Sequence, residues 1–160
     1  MFAVQPGDIF VCCYNRQSDI LPFHYALAIY IHGNTFRVFQ AVNPSITLWK
    51  YETKDSYVLS SQRLAAVNKI GNLERSGKTI SDIDALLSVV EHRTPKDHGG
   101  RKVTYNCIIW TKVALRKLCD AEVIRLTVGD VSDVLDESHA FALEAKATDS
   151  SVRKVSRYAR

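Results

Sequence analysis

Residues 24–41, HYALAIYIHGNTFRVFQA, decide the fold of this chain. Residues 24–31 are apolar and aromatic almost throughout, and residues 35–41 are rich in aromatic and β-branched side chains. Between them stand Gly33 and Asn34, which accept the backbone conformation of a tight turn. The stretch therefore predicts a β-hairpin whose two strands are antiparallel.

The stretches on either side of this hairpin predict further strands. Residues 8–14 (DIFVCCY) follow a Pro-Gly turn signal and are apolar, as a buried strand is. We expect the second hairpin strand to end at 43–45, Asn-Pro-Ser, and short strands to follow at 46–52 and 57–60. Residues 63–70 fit a strand or a helix equally well.

The second half of the chain changes to a helical period. Apolar residues at helical spacing predict a first helix that starts at Thr79 or Ser81, a second over about 106–118 and a third over about 132–147. Strands first and helices later, without βαβ alternation, predict an α+β fold: an antiparallel sheet with helices on one side. We expect a single domain over 1–147 and a basic, mobile tail over 148–160.

Composition excludes several classes of protein. The chain has 160 residues, 46% hydrophobic and 24% charged, which is typical of one globular domain. Its longest apolar run, 25–31, is far short of the ~20 residues that span a membrane. No signal-peptide pattern precedes the first strand, so we expect a cytoplasmic location and reduced thiols. The four cysteines lack metal-binding spacing, so we expect neither a metal nor a cofactor.

The net charge of +4 comes from the C-terminus. Residues 146–160 contain Lys146, Arg153, Lys154, Arg157 and Arg160 against Asp149, so the remaining residues are neutral overall. A neutral body disfavours a dedicated nucleic-acid surface. A solvated tail is the simpler interpretation, and the alternatives are a weak contact with an acidic membrane or a salt-sensitive nucleic-acid contact through 153–160.

Cys107 is the candidate nucleophile. It lies where a polar loop enters a helix, on the face that would point to the sheet. Free N–H groups and the helix dipole at that position favour a thiolate and could hold an oxyanion, with Asn106 as a neighbouring positioning residue. The alternative is that Cys107 is a small core residue, as Cys12, Cys13 and Cys119 are expected to be.

His24 is the candidate base for this thiol. It begins the strand face that includes Ala26 and Ala28, and these small residues would let the Cys107 helix approach closely. Gln40, on the returning strand, is expected to orient the imidazole, and Asn43 lies just beyond it as a second positioning residue. A packing histidine is the alternative interpretation of His24.

Several of these motifs together resemble a known family. The segments are Pro6-Gly7-Asp8, His24-Tyr25-Ala26-Leu27, Gly33-Asn34 and Asn106-Cys107-x-x-Trp110. They resemble the circularly permuted papain-like fold, in particular the lecithin–retinol acyltransferase-like group with its H-box and Asn-Cys motif. Small fungal proteins with similar His-x-Ala-Leu and Asn-Cys-x-x-Trp segments resemble the chain at least as closely.

The resemblance implies that Cys107 is the nucleophile and His24 the base, with Gln40 where acyltransferase relatives hold a second His. The chain departs from the family there, and also at Ile108-Ile109, where relatives have a more polar pair. The implied function is a thiol hydrolase, thiol protease or acyltransferase that forms an acyl-enzyme from a small or lipid ester or amide. The alternative is a catalytically inactive binding or regulatory module of the same fold.

Overall fold

The computed structural model describes residues 2–45, 48–94 and 104–159. The strands are β1 (Asp8–Asn15), β2 (Phe23–His32), β3 (Thr35–Ser45), β4 (Leu48–Ser56), β5 (Leu64–Asn72) and β6 (Val152–Val155). The helices are α1 (Ile80–Ser88), α2 (Cys107–Asp120) and α3 (Val131–Thr148), and two short 3₁₀ turns cover Val58–Ser60 and Leu73–Ser76. The fold is α+β, as the sequence predicts.

The strands form one six-stranded sheet in the order β4-β3-β2-β1-β5-β6. Every neighbouring pair from β4 to β5 is antiparallel, whereas β6 runs parallel to β5. The sheet is therefore mixed, and the expectation of an antiparallel sheet is correct for five of its strands.

The hairpin of β2 and β3 confirms the prediction made from its turn residues. Gly33 has a positive φ of 59°, and the two strands pair with Leu27 opposite Phe39. The predicted break at 43–45 is wrong, because β3 continues to Ser45. Pro44 falls in an irregular part of the β3–β4 ladder, between Val42 and Ser45, where a missing N–H removes no regular ladder bond.

Other boundaries also differ from the predictions. Val58–Ser60 is a 3₁₀ turn and not a strand, and the ambiguous residues 63–70 lie mostly in strand β5. Residues 46 and 47 of the predicted fourth strand, and most of the predicted loop at 93–102, lie outside the described residues.

The helices begin at side chains that bind their free N–H groups. Thr79 and Asp130 form capping boxes at α1 and α3, and Asn106 caps α2. Such caps stabilise a helix by about 1 kcal/mol each. The observed starts agree with the predicted ones within one or two residues because capping is a local property of the sequence.

Two apolar layers lie on opposite faces of the sheet. The helix-side core, which is covered by α1, α2 and α3, includes Tyr25, Leu27, Ile29, Cys107 and Trp110. The outer core, on the other face, includes Phe10, Ala26, Ala28, Phe36 and Val38. The face that begins with His24 was expected to receive the Cys107 helix, and this is wrong. The rings of Phe10 and Phe36 pack over the two alanines, while α2 packs on the opposite face.

The C-terminal segment is part of the fold, so the expectation of a mobile tail is wrong. Strand β6 pairs with β5, and Val152 and Ser156 are buried. Ser156 Oγ donates a hydrogen bond of 2.6 Å to the buried carboxylate of Glu137. Lys154 forms an ion pair of 2.6 Å with Glu144.

Within the described residues, no helix is both long enough and apolar enough to cross a membrane.

Candidate functional site

Cys107 is the first residue of α2, and Asn106 holds it there. The Asn106 Oδ1 atom accepts hydrogen bonds of 3.0 Å from the N–H groups of both Ile108 and Ile109. These bonds fix the first turn of the helix, so Asn106 positions the cysteine through the backbone. The Cys107 side chain is fully buried in the helix-side core.

The sulfur of Cys107 lies beside the backbone N–H of Tyr25. The β2–β3 ladder ends at Leu27, and the backbone N–H of Tyr25 beyond it acts electrostatically on the sulfur. This N–H and the charge of Arg16 lower the pKa of the thiol, but burial raises it by more. Burial therefore acts against the resting thiolate that the sequence predicts and favours the neutral thiol.

His24 takes part in a chain of hydrogen bonds on the outer face of the sheet. Its Nε2–H donates to Gln40 Oε1 over 2.7 Å, and Gln40 Nε2 donates to Glu52 Oε1 over 2.7 Å. Because a carboxylate only accepts, Glu52 fixes the orientation of the Gln40 amide, and this in turn places the proton of His24 on Nε2. Nδ1 is then the basic nitrogen.

Burial keeps the imidazole neutral. It lowers the pKa of His24, and the hydrogen bond to Gln40 offsets this effect only in part. A neutral imidazole with a free Nδ1 lone pair can accept a proton, which is the requirement for a general base. Gln40 therefore orients the imidazole, as the sequence suggested.

Glu52 is a site residue that sequence reasoning missed. It lies directly opposite Gln40 in the β3–β4 ladder and forms a 3.0 Å ion pair with Lys54. The signal that could have found it is the register of β3 against β4, which places residue 40 opposite residue 52. The predicted break at 43–45 hid that register.

Cys107 and His24 approach one backbone position from opposite faces of the sheet. In the part of the chain that the structure describes, no hydrogen bond joins the two side chains. However, the amide nitrogen of Tyr25 is about 2.4 Å from the Cα atom of His24, given the bond lengths of the peptide unit. The sulfur beside that N–H is therefore close to the backbone of His24, and Arg16 acts electrostatically on both groups.

A cleft of about 360 Å³ opens beside His24. Its lining combines residues of the outer face, including His24, Gln40 and Val38, with Ala41 and Trp49. Ala41 belongs to the helix-side core, and Trp49 packs against it. The cleft thus extends around the end of the sheet toward the side where Cys107 lies, but Cys107 itself does not line it.

Asn43 lies at the rim of this cleft and has a structural role. With its amide nitrogen directed toward the β3–β4 connection, it donates to the carbonyl oxygens of Ser45 and Leu48. His139, which the sequence suggested to be a packing or surface residue, accepts or donates a 2.6 Å hydrogen bond with the Tyr25 hydroxyl. This bond ties α3 to the strand position beside Cys107.

No group of three or more His, Cys, Asp or Glu side chains in the described ranges is arranged to hold a metal ion. Comparison with known proteins gives no match to a family model, to a curated protein or to a solved structure. The geometry of the chain itself is therefore the basis for any functional argument.

Proposed function

We propose that this protein is a cysteine-dependent hydrolase or acyltransferase with a permuted papain-like topology. Cys107 is the nucleophile, His24 is its base and Gln40 orients the base. The observation that supports the proposal most is the 2.7 Å hydrogen bond from His24 Nε2 to Gln40 Oε1, which leaves Nδ1 unprotonated and able to accept a proton.

The proposed reaction starts from a neutral pair. The Cys107 thiol transfers its proton to His24 Nδ1 as the sulfur attacks the carbonyl carbon of an ester or amide. The N–H of Cys107 stabilises the oxyanion, and Gln40 Oε1 stabilises the imidazolium. His24 then gives the proton to the leaving alcohol or amine, and a thioester remains on Cys107. Water or another acceptor, deprotonated by His24, releases the acyl group.

The positions of the two groups support this assignment. Cys107 lies at the N-terminus of a helix that packs on β2 and β3, and His24 lies near the start of β2, earlier in the chain. This order of base before nucleophile is the permuted order. The proposed proton transfer requires the His24 ring to reach the sulfur, which lies beside the backbone of the adjacent residue, Tyr25.

Acyl transfer to the thiol tests the proposal. The protein is incubated with p-nitrophenyl acetate, release of p-nitrophenol is followed, and acetylated peptides are mapped by mass spectrometry. We expect a burst of product with acetyl on Cys107, loss of the burst in Cys107→Ala, and an unchanged burst in Cys119→Ala, which removes the partly exposed cysteine. Acetylation that favours Cys119, or a burst that survives Cys107→Ala, contradicts the proposal.

A second candidate function is a binding or regulatory module without catalysis. The observation that favours it is the complete burial of Cys107 in the helix-side core, with a raised thiol pKa. In this case Cys107→Ala and Cys107→Val retain every binding property of the protein, and no acyl adduct forms on residue 107 at any pH in the folded state.

A further inference from the structure

The charged residues that line the cleft beside His24 are all basic. Arg16, Lys54 and Arg63 line it, and no acidic residue is among its described lining residues. Lys54 is paired with Glu52 at 3.0 Å. In the described ranges, neither Arg16 nor Arg63 has an ion-pair partner, and both are exposed at the rim.

The two arginines come from adjacent strand ends. The Asn15 N–H donates to the Arg63 carbonyl oxygen over 2.7 Å, and the Arg16 N–H donates to the Pro22 carbonyl oxygen over 2.8 Å. The first bond holds the backbone beside Arg16 against that of Arg63, and the second closes the loop that follows β1. Two arginines at neighbouring strand ends that line one cleft can bind one carboxylate or phosphate through charge-assisted hydrogen bonds.

The rest of the lining is suited to an apolar chain. Val38, Ala41, Val42 and Trp49 provide the apolar wall, while His24 and Gln40 face the same space. A volume of about 360 Å³ is at the lower end of the range for sites that bind small organic molecules. A lipid with two long chains exceeds it.

We infer that the cleft binds a small ester or amide whose chain ends in an anionic group, a carboxylate or a phosphate, held by Arg16 and Arg63 with the reactive carbonyl facing His24. This inference rests on the proposed function, because it names the class of substrate for the same site. It also makes a separate claim, which is that the cleft prefers anions whether or not the thiol reacts.

Calorimetric titration of Cys107→Ala, which cannot form a thioester, separates binding from turnover. The probes are monomethyl adipate, monobutyl phosphate and the uncharged dimethyl adipate. We expect an anionic probe to bind at least tenfold more tightly than dimethyl adipate, and about tenfold more weakly when Arg16→Gln or Arg63→Gln is added. Arg75→Gln, an exposed arginine in a different cleft, is the matched control and keeps the affinity.

Each outcome is decisive. If monomethyl adipate binds and monobutyl phosphate does not, the anion is a carboxylate, and the converse result assigns a phosphate. Equal binding of monomethyl and dimethyl adipate, or equal loss of affinity in Arg75→Gln, overturns the inference. If the unmodified protein hydrolyses dimethyl adipate and monomethyl adipate equally well, the proposed function is retained and the anion site is rejected. If it binds monomethyl adipate more tightly but hydrolyses neither ester, the anion site is retained and the proposed function is rejected.

Discussion

Replacement of Glu137 by Leu should detach the C-terminal strand. The Glu137 carboxylate is buried on α3 and accepts hydrogen bonds from Asn68 Nδ2 at 3.0 Å, Ser156 Oγ at 2.6 Å and the Arg157 N–H at 3.2 Å. Its loss leaves the donors of buried Asn68 and Ser156 without this acceptor. Each such donor costs about 1–3 kcal/mol, so we expect the free energy of unfolding to fall by about 3–5 kcal/mol. That is a large part of the 5–15 kcal/mol of an ordinary domain.

Glu144→Leu is the matched control for this substitution. Glu144 also lies on α3 and also binds the C-terminal strand, through its 2.6 Å ion pair with Lys154, but both side chains are about half exposed. An exposed pair contributes about 0–1 kcal/mol. Urea unfolding measures both changes, and hydrogen exchange of the amides of residues 152–157 measures the local effect. Equal losses in the two variants would refute the argument that burial of the Glu137 carboxylate decides the stability of this segment.

Two further pairs of substitutions, at Gln40 and at Asn106, and one change of pH have defined outcomes. Gln40→Glu should raise the pKa of His24 and Gln40→Leu should lower it, because the first adds a negative charge beside Nε2 and the second removes its acceptor; an NMR titration that gives the same sign for both would contradict the assigned hydrogen bond. Asn106→Ala should cost about 1 kcal/mol in urea unfolding through loss of the α2 cap, whereas Asn106→Asp should retain the stability; equal loss in both excludes a capping role. Since burial lowers the pKa of His24 and of His92 in the folded protein, the unfolded chain binds more protons, so the urea midpoint should fall as the pH drops below about 6.5; a midpoint that is constant from about pH 7 to about pH 5 would disprove this linkage.

The elements that the sequence predicts well are those controlled by local signals. Gly33 requires no partner far along the chain to make its turn, and Thr79 and Asn106 cap their helices through residues two or three positions away. His24 and Gln40 could be paired from the same local hairpin, since both lie on strands joined by that turn. This pairing is the part of the candidate site that the structure shows as expected.

The features that the sequence does not predict depend on contacts between distant segments. Which face of β2 receives α2 is decided by the packing of Phe10 and Phe36 on the alanine face, and nothing in residues 24–31 alone reveals it. Strand β6 pairs with β5 beside the buried carboxylate of Glu137, which binds Asn68 on β5 and Ser156 just after β6. Glu52 joins the site only through the register of β4.

The protonation states of the two candidate groups constrain any catalysis at this site. Burial raises the pKa of Cys107 and lowers that of His24, so both changes disfavour a thiolate–imidazolium pair and favour the neutral one. A neutral pair is nucleophilic only while its proton is being transferred, so acylation would require the base in place at the moment of attack.

The rate of acylation would then fall as the pH drops and His24 is protonated. The Cys107 thiol would not show the fast alkylation at neutral pH that marks a resting thiolate. Iodoacetamide should therefore modify Cys107 no faster than the partly exposed Cys119, even in a protein that accepts an acyl group on Cys107. Faster alkylation of Cys107 would mean that its thiolate already exists in the folded protein and that burial does not control its ionisation.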